Sequence, residues 1–211
     1  MAEGPEPSAG PEPRSSQKHT EPERLEAFSD GVMAVIITIM VLDLRTPASD
    51  TLRELTKTFP SILVYALSFT FIGIYWNNHH HLLRSTERIS ARVMWSNLFL
   101  LFWLSLTPLV TKWMAQFYRD HLPACVYGIV AIGAAIAYTI LVRAIVAANG
   151  TNSAVAQAIG SDFKGKISVA IYAAGAALSW VTPWIAYAAY AAVSIIWFIP
   201  DRRLDQDPEV A

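Results

Sequence analysis

Charge is scarce in this chain. Charged residues make up 16% of its 211 positions and apolar residues 54%, a balance too poor in charge for a soluble domain of this length. The net charge of −1 leaves no global field to draw an acidic partner, and no nucleic acid is expected to bind. Cysteine is nearly absent. The single Cys125 excludes an internal disulfide framework and, within an apolar stretch, is expected to be a small buried side chain. The chain lacks paired carboxylates in mid-helix, a Ser/His/Asp set and a glycine-rich phosphate loop, so neither an enzyme nor a cofactor is expected. No segment carries the repeated arginines of a voltage sensor. The N-terminus has neither the basic start nor the apolar core of a signal peptide.

What the chain does have is long apolar runs. They begin after residues 1–23, which are rich in Pro, Glu, Ser and Gly and are predicted to form a disordered tail, unable to bury enough surface to offset chain entropy. Six apolar segments follow, at about 26–44, 59–82, 93–115, 122–147, 166–182 and 184–200, each approaching the ~20 residues that a membrane-crossing helix needs. The last two meet at Thr182-Pro183-Trp184, where the alternatives are two helices or one long helix kinked at Pro183. The prediction is an all-α membrane protein, with a six-helix domain over 24–200 and a short polar tail over 201–211. Eleven of the sixteen Lys plus Arg fall on the side of the N-terminal tail and five (Arg45, Arg53, Lys57, Lys112 and Arg119) on the other. That asymmetry predicts a multi-pass protein of the cell membrane with both termini cytoplasmic. Trp113, Tyr118, Trp180 and Trp184 fall near the predicted outer boundary, where amphipathic rings collect, and the polar loop from Asn149 to Asp162 falls inside.

The first apolar segment opens with polar groups that are costly to bury. Arg24, Ser29 and Asp30 stand at its mouth. Ser29 and Asp30 could cap a helix N-terminus, or Asp30 could join a buried network with Arg24, Asn78 or a histidine of Trp76-Asn77-Asn78-His79-His80-His81, which falls on the same membrane side. Three histidines in a row suggest a metal, but adjacent helical positions point about 100° apart and cannot converge on one ion, so no metal site is expected. Further along, Val35, Thr38, Ile39 and Leu42 share one helical stripe. Gly31, Ala34 and Thr38 form a neighbouring stripe of small residues that would admit a close helix. By pattern alone the apolar stripe faces lipid or another helix.

Two motifs carry a resemblance. Arg24-x3-Phe28-Ser29-Asp30, continuing as Gly31-Val32-Met33-Ala34-Val35-Ile36-Ile37-Thr38, together with Trp76-x-Asn78-His79-His80, resembles the signature of the transmembrane protein 175 family, in its bacterial branch with one six-helix unit per chain. The resemblance implies a homotetrameric cation channel preferring potassium, with potassium as the permeant ion and a central pore lined by the first helix of each subunit. It implies no Thr-Val-Gly-Tyr-Gly filter, and this sequence contains none. Carried over residue by residue, it places the narrowest apolar layer at Val35, further layers at Ile39 and Leu42, and a hydroxyl in the ion path at Thr38. Arg24, Ser29, Asp30 and His79 would form the polar network holding the first helix. Where the family has Ile or Leu at the narrowest layer, this chain has Val35, which implies a wider opening.

Apolar rings of this kind can gate by dewetting, and a ring of threonine hydroxyls can replace part of an ion's hydration shell. The alternatives are a proton-coupled secondary transporter using Asp30 and His79, and a non-conducting scaffold. The scarcity of ionisable residues along the later segments and the lack of a second Phe-Ser-Asp copy argue against the transporter.

Overall fold

The computed structural model describes residues 21–153, residue 156 and residues 163–198. The predicted tails, up to Thr20 and from 201 onward, and most of the Asn149–Asp162 loop lie outside the described residues. Every regular element among those described is a helix: α1 (Glu21–Leu42), α2 (Leu52–Arg84), α3 (Ala91–Ser105), α4 (Thr107–Gln116), α5 (His121–Asn149), α6 (Phe163–Leu178) and α7 (Pro183–Phe198). Four stretches are long and apolar enough to cross a membrane: Glu21–Leu42, Leu52–Arg84, Ala91–Gln116 and His121–Asn149. At about 1.5 Å per residue, the 22 residues of α1 extend about 33 Å, close to the thickness of a hydrocarbon core.

Local chemistry sets the ends of these helices. The Thr51 side chain accepts from the Glu54 amide at the start of α2, and Ser90 accepts from the Val93 amide at the start of α3. The third apolar segment, expected to be continuous over 93–115, is broken at Leu106 into α3 and α4. Pro108 stands in the first turn of α4, where its missing N–H costs nothing but where no helix can run through unchanged. The α1 helix begins at Glu21, ahead of the domain boundary expected at 24.

The alternatives at Pro183 resolve into two 16-residue helices joined by a turn. They pack side by side and antiparallel: Trp197, near the end of α7, donates its indole N–H to Ser168 in α6 at 2.9 Å, while Gly175 lies against Tyr190. Three of the four aromatic residues expected at one boundary, Tyr118, Trp180 and Trp184, make ring contacts at one end of the bundle. Tyr118 meets Trp184 edge-on, Trp180 stacks on His121, and the Tyr187 hydroxyl donates to the Tyr118 carbonyl. Cys125 is a free thiol, half-buried rather than buried.

The α5 helix runs through the middle of the bundle, touching α3, α4, α6 and α7. Its buried positions are mostly small, among them Ala124, Ala131, Ala134 and Ala137. Small residues let helix backbones approach closely where lipid removes the hydrophobic drive for association. At Gly133 an added Cβ would run into the indole ring of Trp103. Gly133→Ala is therefore expected to destabilise the fold by about 1–3 kcal/mol through overpacking, read as a lower melting temperature in detergent. Unchanged melting would mean that Trp103 has room to turn away.

One residue ties the α2–α3 turn to the end of α5. The Asn149 side chain accepts from the amides of Glu87 and Arg88 and donates to the carbonyls of Arg88 and Ile145, at 2.9–3.1 Å. This uses both the acceptor and both donors of the amide and clamps the α2–α3 turn onto the end of α5. Gly150 follows at φ 97°, in the left-handed region that favours glycine.

Candidate pore helix and its polar anchor

The α1 helix has two faces of different character. Ser29, Met33, Ile36 and Met40 are buried, spaced four, three and four apart on one stripe. They pack against α2, α3 and α4. The opposite stripe is exposed among the described residues: Gly31, Ala34 and Thr38 are exposed, as are Val35 at 55%, Ile39 at 45% and Leu42 at 82%. All four residues expected to line a path, Val35, Thr38, Ile39 and Leu42, therefore share one exposed surface among the described residues. The Thr38 hydroxyl turns back onto its own helix, 3.1 Å from the Ala34 carbonyl and 2.9 Å from the Val35 carbonyl. Its proton is committed there, so its free lone pair is presented outward as an acceptor.

The buried face is anchored by a directed chain of hydrogen bonds. The Ser29 hydroxyl donates to the Leu25 carbonyl at 2.8 Å. With that proton used, Ser29 Oγ can only accept, and the Asn97 amide donates to it at 2.9 Å. This turns Asn97 Oδ1 toward His79 Nε2, 2.7 Å away. The chain thus runs from His79 through Asn97 and Ser29 to Leu25, and it requires a proton on His79 Nε2. All three side chains are fully buried. The bonds join α2, α3 and α1, which is how a membrane bundle satisfies polar groups that have no water to turn to.

This anchor differs from the one expected. Asn97 was not among the predicted residues, yet it bridges the other two. Arg24 lies five residues before Ser29, about 140° around the helix, and is exposed, away from the chain of bonds. Asp30 is half-buried, and its Oδ1 is shielded from solvent with no hydrogen bond among the described residues. The Asn78 side chain donates to the Ile74 carbonyl one turn back, at 2.7 Å, rather than reaching α1. Trp76 is exposed and stacks on His80, and Phe28 is exposed. Glu26, also outside the predicted set, pairs with His80 at 2.5 Å. At the other end of α1, Asp43 pairs with Lys112 of α4 at 2.7 Å. The only pairing signal in the sequence for Asn97 is that Ser96-Asn97 interrupts an apolar run from Val93 to Leu104.

A bundle of membrane-length helices, with one long helix held on one face by a buried chain of hydrogen bonds and exposed on the other, defines a multi-pass membrane protein. Comparison with known proteins narrows the class to ion channels. The family described as "Endosomal/lysosomal potassium channel TMEM175" matches residues 24–108. The chain is similar to a potassium channel of Chryseobacterium sp. (strain P1-3), 47% identical over 183 residues that cover 87% of this chain and 95% of that one. It is 32% identical over 130 residues to the human endosomal/lysosomal proton channel TMEM175, covering 54% of this chain and 26% of the human one. Among solved structures it is similar to the crystal structure of a lysosomal potassium-selective channel TMEM175 homolog from Chamaesiphon minutus, with a TM-score of 0.75 and 26% identity over 84% of this chain and 96% of that one. This chain belongs to the TMEM175 family, as its two motifs imply.

Proposed function

We propose that the protein is a potassium-selective channel formed by four copies, each contributing α1 to a central pore. The observation that carries this reading is the bare stripe of α1, apolar at Val35, Ile39 and Leu42 and interrupted by one outward-facing hydroxyl at Thr38. Closed rotational symmetry turns such a stripe into rings around an axis. The apolar rings exclude water from a narrow passage and so bar a bare ion, while a ring of threonine oxygens replaces part of the lost hydration shell. Val35 forms the narrowest ring, and its short side chain leaves it wider than Leu would. The Ser29–Asn97–His79 anchor holds α1 by its back, so the pore-facing stripe stays free. Support also comes from relatives that are named potassium channels. In this reading α6 and α7 complete six crossings in the cell membrane, both termini are cytoplasmic, and the chain acts without a cofactor.

The test is flux. The purified protein in liposomes is expected to pass potassium faster than sodium down equal gradients, without a proton gradient. Flux only when a proton gradient is supplied would favour a coupled transporter, and none at all a scaffold. Val35→Leu is expected to lower potassium flux several-fold while leaving the oligomer intact, because four larger side chains narrow one ring. Equal flux in both proteins would remove Val35 from the constriction.

A further inference from the structure

We propose that Glu26, Asp30 and His80 form a binding site for a first-row divalent metal ion of the zinc class, where α1 meets the end of α2. The three histidines of α2 cannot converge on one ion, but His80 alone meets two carboxylates from another helix. Glu26 and Asp30 are four residues apart and so lie on one face of α1. One ligand atom from each of the three side chains lies within 4.8 Å of the others. Zinc bonds of about 2.0–2.2 Å in tetrahedral geometry separate neighbouring ligands by about 3.4 Å, so side-chain rotation alone closes the gap.

A second observation points to a cation. The Glu26–His80 pair leaves Asp30 out, and Asp30 Oδ1 is buried without a hydrogen bond among the described residues. Two carboxylates and a neutral imidazole match the charge of a divalent ion and would give that oxygen a ligand. Trp76 stacks on His80, with ring centroids 5.9 Å apart and planes 24° from parallel, which fixes the imidazole plane as supporting contacts do in metal sites. Mixed imidazole and carboxylate donors, with no thiolate, suit zinc, cobalt or manganese rather than copper(I). All three residues are half-buried, which leaves room for water in the remaining coordination positions.

The site stands apart from the pore reading, and its test measures metal rather than flux. The full chain, purified without a polyhistidine tag and placed in nanodiscs, is titrated with cobalt(II). The expected result is one ion per chain, with a visible absorption band from nitrogen and oxygen ligands that zinc abolishes. Glu26→Gln and His80→Gln are each expected to weaken binding at least about tenfold, the scale at which even supporting residues count in metal sites, and to remove the band. His81→Gln should bind as the unaltered chain does. Glu26 lies outside the Ser29–Asn97–His79 anchor, so Glu26→Gln carries the test if His80→Gln fails to fold. No band, or unchanged binding in Glu26→Gln, overturns the proposal, the latter leaving an adventitious ion only.

Discussion

Asn97→Leu is expected to lower the stability of the folded protein by about 2–4 kcal/mol, the sum of two membrane hydrogen bonds at about 0.6 kcal/mol each and a stranded buried donor at about 1–3 kcal/mol. Leucine has the same branched heavy-atom skeleton as asparagine but offers neither donor nor acceptor. His79 Nε2 would keep its proton with nothing to give it to, and Ser29 would lose the bond it accepts. For a domain of this size, melting should fall by roughly 4–16 °C. Replacing both ends of the stronger bond, as His79→Phe with Asn97→Leu, should recover part of the loss, since removing both partners strands no donor. A double-mutant cycle in detergent measures this coupling. Strictly additive losses, or unchanged melting in Asn97→Leu, would show that the three residues do not act as one anchor.

Thr38→Val should bring the permeability of potassium and sodium close to equal, while leaving oligomer mass and melting unchanged. Valine keeps the branched shape of threonine and removes only the oxygen. The hydroxyl proton is spent on the carbonyls of Ala34 and Val35, so its loss strands no buried acceptor that the helix needs. Stability is therefore not the variable, and ion coordination is. If four oxygens together supply about 1.4 kcal/mol of preference, selectivity falls about tenfold. Thr38→Ser, which keeps the oxygen, should retain most of it. The measurement is the reversal potential under opposed potassium and sodium gradients. An unchanged value in Thr38→Val would exclude Thr38 from the ion path.

One stripe of α1 was legible in the sequence, because helical period alone groups Val35, Thr38, Ile39 and Leu42; that it is the exposed one was not, since the buried stripe of Met33, Ile36 and Met40 is equally apolar. The neighbourhood of Ser29 and His79 was also legible, since alternating crossings bring the start of α1 and the end of α2 to one side. The residue that joins them was not. Asn97 sits in a run of apolar residues, carries no charge and belongs to neither motif, so only the packing of α3 between α1 and α2 gives it a role. Arg24 misled for the converse reason. Its charge drew it into the expected network, but its angle around α1 turns it outward.

Composition and periodicity, by themselves, determined that this chain is an all-helical membrane protein and which residues of its first helix share a stripe. These properties depend on the cost of placing polar groups in lipid and on a fixed 3.6-residue turn, both local in the chain. Packing decided that this stripe is the exposed one. Tertiary structure alone decided that α6 and α7 pack antiparallel and that His79 reaches Ser29 through Asn97. It also decided that Glu26, Asp30 and His80 converge. Each of these depends on distances of a few ångströms between residues up to 68 positions apart, which no local pattern encodes.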